Sequence, residues 1–208
     1  MLKLILNKKY NPLFESDARY FIITGGRGSG KSFAATVFLT LLTMTKGIRI
    51  LFTRFTMTSA HLSIIPEFLE KIGLLGFEDV FSINKAEVLN RSNQSDILFR
   101  GIRTSAGNQT ASLKSLQGIS TWVLDEAEEL IDENIFDTID LSIREKDIQN
   151  RIILILNPVT KEHWIYDRFF ESKGVEGGFN GVKDNVCYIH STYLDNKDNL
   201  SESFLERV

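Results

Sequence analysis

The stretch GGRGSGKS, residues 25–32, is the densest concentration of potential chemistry in this sequence. It fits the pattern G-x-x-x-x-G-K-[ST], with Gly25, Gly30, Lys31 and Ser32 at the fixed positions. Glycines at that spacing allow a tight backbone path whose N–H groups converge on phosphate oxygens. A helix starting at the end of the loop aims its positive end at the same anion. Lys31 is then expected to reach the β- and γ-phosphates, and the Ser32 hydroxyl to ligate magnesium. The expected nucleotide-contacting run is Gly25, Gly26, Arg27, Gly28, Ser29, Gly30, Lys31, Ser32 and Phe33.

A second constellation is WVLDE, residues 122–126, an apolar run ending in adjacent carboxylates. Asp125 at the strand tip suits a magnesium contact through water, and Glu126 suits polarisation of the water that attacks a γ-phosphate. The same acids also fit the start of an acid-rich helix, where carboxylates are favoured by the dipole. Residues 125–128 read DEAE rather than D-x-x-G, and NKAE at 84–87 lacks the Asp of a guanine-reading N-K-x-D, so the sequence argues for ATP over GTP. A third polar position, Asn157, follows the apolar run RIILIL (151–156). Its amide is placed to hold the attacking water or to sense the γ-phosphate, and an Asn-Pro pair is equally a turn signal.

These residues need a sheet to hold them. YFIIT (20–24), RILFT (49–53), TWVLD (121–125), RIILIL (151–156) and VCYIHS (186–191) read as strands, the middle ones apolar enough to be covered on both faces. Strand-like pieces at 80–83, 88–89 and 97–99 suggest a hairpin or meander. Helices are expected over residues 31–46, 59–72 (with Pro66 splitting or kinking it), 127–144 and 161–172. Residues 101–115 read as a mobile loop, 174–181 as a flexible surface loop, and LSESFLERV as a helix just begun, with Ser201 as its cap. Strands alternating with helices predict an α/β fold with a mostly parallel central sheet flanked by helices.

With 208 residues, 43% hydrophobic and 25% charged, the chain is expected to form a single domain over 1–208 with a substantial core. No apolar run approaches membrane-spanning length and the N-terminus lacks a signal-peptide pattern, so no membrane partner is expected. One cysteine, Cys187, cannot form an internal disulfide and favours a reducing compartment. The net charge of −3 lacks the overall positive charge of a typical DNA-binding module. Charge is uneven, however: residues 97–124 carry no acid but include Arg100, Arg103 and Lys114, whereas acids dominate from Asp125 to Asp140.

Five pieces together, GGRGSGKS, FTRFTMTS (52–59), LKSLQGISTWVLDEAEEL (113–130), LNPVTKEHWIYDRFF (156–170) and HSTYLDNKDNLSESF (190–204), resemble the ATPase domain of the large terminase subunit of tailed phages. The resemblance covers about residues 18–208. It implies a P-loop NTPase of the additional-strand catalytic-glutamate type, a magnesium-dependent ATPase that drives double-stranded DNA into a procapsid. It further implies a homo-oligomeric ring at the portal protein, a small terminase subunit as partner, and residence in the host cell cytoplasm. Carried over by position, Arg27 would contact the γ-phosphate in cis, Asp125 and Glu126 would be the magnesium aspartate and catalytic glutamate, and Asn157 would belong to a coupling motif. Lys114, eleven residues before Asp125, falls where some relatives place a basic finger acting on the neighbouring subunit, with a point charge in place of a planar guanidinium. Tyr10, Phe14 and Arg19 are candidates to contact adenine. The nuclease domain of the family is expected to be absent. Two other functions fit the same core motifs: a helicase- or recombinase-like ATPase, and a nucleotide-gated assembly module without turnover.

Overall fold

The structure, a computed structural model, describes residues 4–57, 60–104, 107–108, 113 and 116–208, with the backbone alone at 60–62, 104 and 107–108. Lys114 lies outside the described residues, as does most of the predicted loop around it. A single ten-stranded sheet organises the chain. Its strands are β1 (Tyr20–Thr24), β2 (Arg49–Thr56), β3 (Phe81–Ile83), β4 (Glu87–Asn90), β5 (Asp96–Thr104), β6 (Gly107–Asn108), β7 (Thr121–Asp125), β8 (Arg151–Leu156), β9 (Gly181–Lys183) and β10 (Val186–His190). The order across the sheet is β3-β4-β5-β2-β7-β8-β1-β10-β9, with β6 folded back on β5. Six central strands, β5-β2-β7-β8-β1-β10, are mutually parallel, and the antiparallel strands lie outside them.

Both faces of the sheet are covered, and the two-residue period of a strand decides which side chain goes where. Phe21, Ile23, Ile50, Phe52, Val123, Ile153 and Ile155 pack on one face, against helix α1 (Lys31–Leu42) and helix α2 (Ala60–Leu75). Ile22, Leu51, Trp122, Leu124, Ile152 and Leu154 pack on the other, against α3 (Glu133–Asp140) and the helical segment Trp164–Glu171. This alternation explains why the central strands read as continuous apolar runs.

The helices depart from the sequence expectation in instructive ways. Helix α1 stops at Leu42 instead of Lys46. The β4–β5 turn reaches across to catch the carbonyls beyond it: Asn90 donates to Thr43 O at 3.1 Å, Asn93 to Met44 O at 3.0 Å and Ser95 to Thr45 O at 2.8 Å. Helix α2 runs unbroken through Pro66, whose ring is on the exposed side. The helix expected over 127–144 is split. A 3₁₀ turn at Ala127–Glu129 is followed by extended backbone at Leu130, and α3 starts only where Asp132 caps the N–H of Asn134. Burial of Leu130 and a hydrogen bond from the Trp164 indole to its carbonyl at 2.5 Å hold the break open.

The helix expected over 161–172 begins three residues later, capped by His163, and widens into a π turn at Asp167–Glu171. The predicted loop 101–115 is strand as far as Thr104 and again at Gly107–Asn108. Residues 174–180 run outside regular structure before β9, and Ser201 caps a short helix, Glu202–Leu205. Among the described residues no helix is long and apolar enough to cross a membrane.

The carbonyl clamp fixes the far end of α1. Asn90 is fully buried and also accepts from the backbone N–H of Ser92 at 2.9 Å, so truncation strands polar groups at both ends of its amide. Asn90→Ala is expected to lower unfolding free energy by about 1–3 kcal/mol, read as a lower urea midpoint with an unchanged m value.

Candidate functional site

Parallel pairing brings the carboxyl ends of the central strands to one edge of the sheet, the edge where ligands bind in such folds. The register is specific about which residues meet there. Thr24 pairs with both Leu156 and His190, Leu124 with Thr53, and Asp125 with Ile155. The glycine-rich loop, Arg54, Asp125 and Asn157 therefore emerge side by side. Strand β8 is interposed between the loop-bearing β1 and the acid-bearing β7, which opens a gap above its end.

The loop itself is clasped from behind. A Cβ on Gly25 would lie 2.1 Å from the carbonyl oxygen of Ser191, so no side chain fits where the chain leaves β1. Gly30 turns into α1 through a left-handed conformation, φ 84°, which favours glycine. Ser29 closes the loop by donating to Gly26 O at 2.8 Å. Tyr10 donates its hydroxyl proton to Ser29 O at 3.0 Å, and Asn196 donates to Gly28 O at 2.9 Å. Lys31 folds over the inside of the loop, its ammonium 2.5 Å from Gly25 O, 3.1 Å from Gly26 O and 3.4 Å from Asn157 Oδ1. Burial lowers the pKa of Lys31, while the negative charges of Glu128 and Asp125 pull it the other way.

Opposite the loop, Asp125 is buried at the tip of β7 and Glu126 is half-buried beside it. Glu126 has a left-handed backbone, φ 54° and ψ 46°. A non-glycine residue there stores roughly 1–3 kcal/mol of strain, and such conformations cluster at functional sites. Its kink turns the chain off the strand so that both carboxylates border one cleft. Desolvation pushes both carboxyl groups above their usual range, and the Arg54 guanidinium opposes this in each case. Arg54 holds Asp125 Oδ2 from Nη2 at 2.6 Å and from Nε at 2.7 Å, and Glu126 Oε2 lies 3.6 Å from its Nε. On the β8 side, Asn157 donates from Nδ2 to Glu128 Oε1 at 2.6 Å.

The cleft measures about 440 Å³. Of the residues singled out from sequence, Gly26, Arg27, Gly28, Ser29, Gly30, Lys31, Ser32, Phe33, Asp125, Glu126 and Asn157 all line it, and Gly25 faces it through the carbonyl that holds Lys31. Arg27 sits exposed on the loop and makes no ion pair among the described residues. A second cleft of about 670 Å³ shares Ser29, Gly30, Phe33 and Asn196 with the first and extends between the segments 4–10 and 195–199.

Tyr10 lines that second cleft, but the other two adenine candidates do not. Arg19 lies at the opposite end of β1, paired with Asp140 at 2.6 Å, and Phe14 packs edge-on against Phe38 at 5.1 Å. Arg54, Glu128 and Asn196 were not foreseen as site residues. Each lies inside a motif whose spacing was visible, yet only the register and the turns show where their side chains go.

The donor set fits a hard divalent cation that arrives with a nucleotide. One serine hydroxyl and one carboxylate, Ser32 and Asp125, face the same cleft, leaving further positions to phosphate oxygens and water as magnesium prefers. Among the described residues there is no cluster of three or more His, Cys, Asp or Glu side chains that would cage a metal alone.

A glycine-rich phosphate loop between strand and helix, an inserted strand, and an acid pair on the strand beyond it define a P-loop nucleoside triphosphatase fold. Comparison with known proteins narrows this further. The family model for the phage terminase large subunit matches residues 17–208, and the chain belongs to that family. The large terminase subunit of Bacillus phage SPP1 is 25% identical, aligned over the whole of this chain and 50% of that protein. This chain therefore spans about half the length of that relative. Among solved structures, the large terminase of a thermophilic bacteriophage superposes with a TM-score of 0.76 at 13% identity, covering 98% of this chain and 50% of that one. The large terminase ATPase domain of Thermus phage P74-26 gives 0.67 at 18% identity, covering 99% and 87%. At such identities these likenesses establish the fold.

The ion pair at the cleft generates a test of its electrostatics. Arg54→Ala leaves Asp125 as a buried carboxylate without a cation and is expected to cost roughly 3 kcal/mol at pH 7. Loss of the guanidinium lifts the folded-state pKa of Asp125 further above its unfolded value. The resulting penalty is full well above that pKa and fades as pH falls through it. The gap in stability between parent and variant should therefore narrow between pH 7 and about 4, measured by denaturant titration at each pH.

Proposed function

We propose that residues 1–208 form the ATP-hydrolysing motor domain of a DNA-packaging terminase, coupling turnover to movement of double-stranded DNA into a procapsid. The observation that carries this reading is the convergence of Lys31, Asp125 and Glu126 on one cleft across the inserted strand. Family membership supports the packaging context. The large terminase of the thermophilic bacteriophage has also been solved in complex with ATP-gamma-S, which supports the choice of nucleotide. Double-stranded DNA, the portal protein, the small subunit and a ring of like subunits are the partners this reading entails.

In this scheme the loop N–H groups and the N-terminus of α1 hold the β- and γ-phosphates, and Lys31 exchanges its loop carbonyls for phosphate oxygens. The adenosine end runs into the adjoining second cleft past Phe33 and Asn196. Ser32 and, through water, Asp125 would hold magnesium, which would supply positive charge to offset the negative charge of the phosphates. Glu126 takes a proton from the attacking water, and burial has already raised its basicity toward that task. Arg27, exposed on the loop, places a positive charge on the γ-phosphate from the same subunit. Arg54 holds Asp125 and Glu126 in fixed relative positions.

Two substitutions separate binding from chemistry. Lys31→Ala removes charge-assisted hydrogen bonds to phosphate, so ATP affinity should fall about tenfold to a hundredfold by calorimetry without loss of the folded state. Glu126→Gln keeps the shape of the side chain but cannot accept a proton. It should retain ATP affinity in magnesium and lose turnover by ~10²–10⁴-fold, measured by phosphate release with and without double-stranded DNA. Parental turnover in Glu126→Gln would move water activation to another residue, and parental affinity in Lys31→Ala would remove the phosphate site.

A further inference from the structure

The carboxamide of Asn157 can play either of two parts at the cleft, and they require opposite orientations. With Nδ2 toward the nucleotide it donates to a γ-phosphate oxygen; with Oδ1 toward the nucleotide it can only accept. Glu128 decides between them. Its Oε1 lies 2.6 Å from Asn157 Nδ2, and a carboxylate oxygen at that distance is an acceptor. The amide nitrogen must therefore face Glu128. Oδ1 is thereby turned toward the ammonium of Lys31, 3.4 Å away, a second partner that demands an acceptor.

Glu128 is itself held firmly. It sits in the 3₁₀ turn Ala127–Glu129, flanked by Ala127 and Leu130, both fully buried. His163 accepts the N–H of Ile165 at Nδ1, which leaves the proton on Nε2 to be donated to the Glu128 carbonyl at 3.1 Å. The Trp164 indole fixes the Leu130 carbonyl two residues on. The other carboxylate oxygen of Glu128, Oε2, is buried without a hydrogen-bond partner among the described residues. The bond to Asn157 is thus the only hydrogen bond this side chain makes among the described residues, for a placement that costs desolvation.

We propose that Glu128 is a positioning residue for hydrolysis, fixing Asn157 with its carbonyl oxygen toward the cleft so that Asn157 accepts a hydrogen bond from the attacking water. This rests on the hydrolytic reading above. The water oxygen forms the new bond to the γ-phosphorus as the bridging oxygen leaves with ADP. One water proton passes to Glu126, and the other stays on the oxygen, directed at Asn157 Oδ1. An acceptor facing the nucleotide repels phosphate oxygens, so Asn157 orients the nucleophile and does not sense the γ-phosphate.

The test compares Glu128→Ala, Glu128→Gln, Asn157→Ala and the double variant Glu128→Ala/Asn157→Ala in the 208-residue chain. Loss of a positioning contact should lower kcat about tenfold to a hundredfold in Glu128→Ala while leaving KM for ATP within about threefold. With Glu128 acting on the rate through Asn157, the double variant should be no slower than Asn157→Ala alone. Glu128→Gln still offers a carbonyl acceptor to Nδ2 and should recover part of the rate, which also guards against an alanine that disturbs the turn. The Asn157 side-chain amide protons should shift upfield in the NMR spectrum of Glu128→Ala. Multiplicative loss in the double variant, a rise in KM that accounts for the whole effect, or unmoved Asn157 amide protons would each overturn the proposal. Parental turnover with an unaffected Glu128→Ala would overturn it alone, whereas no turnover in the parent would overturn the hydrolytic reading and this proposal with it.

Discussion

Parallel strands that pair in register must all end at the same edge of the sheet, and the candidate site depends on this constraint. Six strands obey it here, with four of them, β2, β7, β8 and β1, delivering Arg54, Asp125, Asn157 and the glycine-rich loop to adjacent positions. The ladder is buried beneath helices on both faces, so its backbone groups pair with one another rather than with water. Interposing β8 sets the loop and the acids two strand spacings apart, roughly 10 Å. That spacing leaves room for the cleft, which Asn157 also lines.

Charge in the cleft is arranged in closed sets. Lys31 is held by two loop carbonyls and Asn157, Asp125 and Glu126 share Arg54, and Asn157 joins the lysine to Glu128. Lys31, Asp125 and Glu126 therefore each have a partner even though desolvation works against all three. Such pairs add little net stability, because the cost of taking charges from water offsets most of their attraction. What they provide is fixed geometry, which matters more for a reaction whose catalysis is mainly positioning and electrostatics.

The segments farthest apart in sequence meet at the back of the loop. Tyr10 comes from before β1 and Asn196 from after β10, yet both bind carbonyls of the same glycine-rich turn. Asn7 also donates to Asp195 O at 2.6 Å, and Lys9 pairs with the Asp195 carboxylate at 2.8 Å, so the two segments hold one another as well as the loop. The motif HSTYLDNKDNL is thereby explained as structural support for the glycine-rich loop, with Thr192 and Asp195 forming a reciprocal capping box at its centre.

Local chemistry was enough to read the central parallel strands, the loop and the acid pair from the sequence, but not β6, β9 or the far ends of β2 and β5. The glycine pattern is dictated by backbone sterics, and continuous apolar runs are dictated by two-sided burial; both are properties of a few adjacent residues. The helix ends were not legible, because they are set by distant side chains: Asn90, Asn93 and Ser95 end α1, and Trp164 keeps the turn at Leu130 from joining α3. Arg19 illustrates the same limit from the other side, since its distance from the loop in sequence is short but a whole strand separates them in space. Arg54 and Glu128 became site residues only through tertiary structure. Strand register brings the one to Asp125, a buried 3₁₀ turn brings the other to Asn157, and neither pairing follows from anything within reach along the chain.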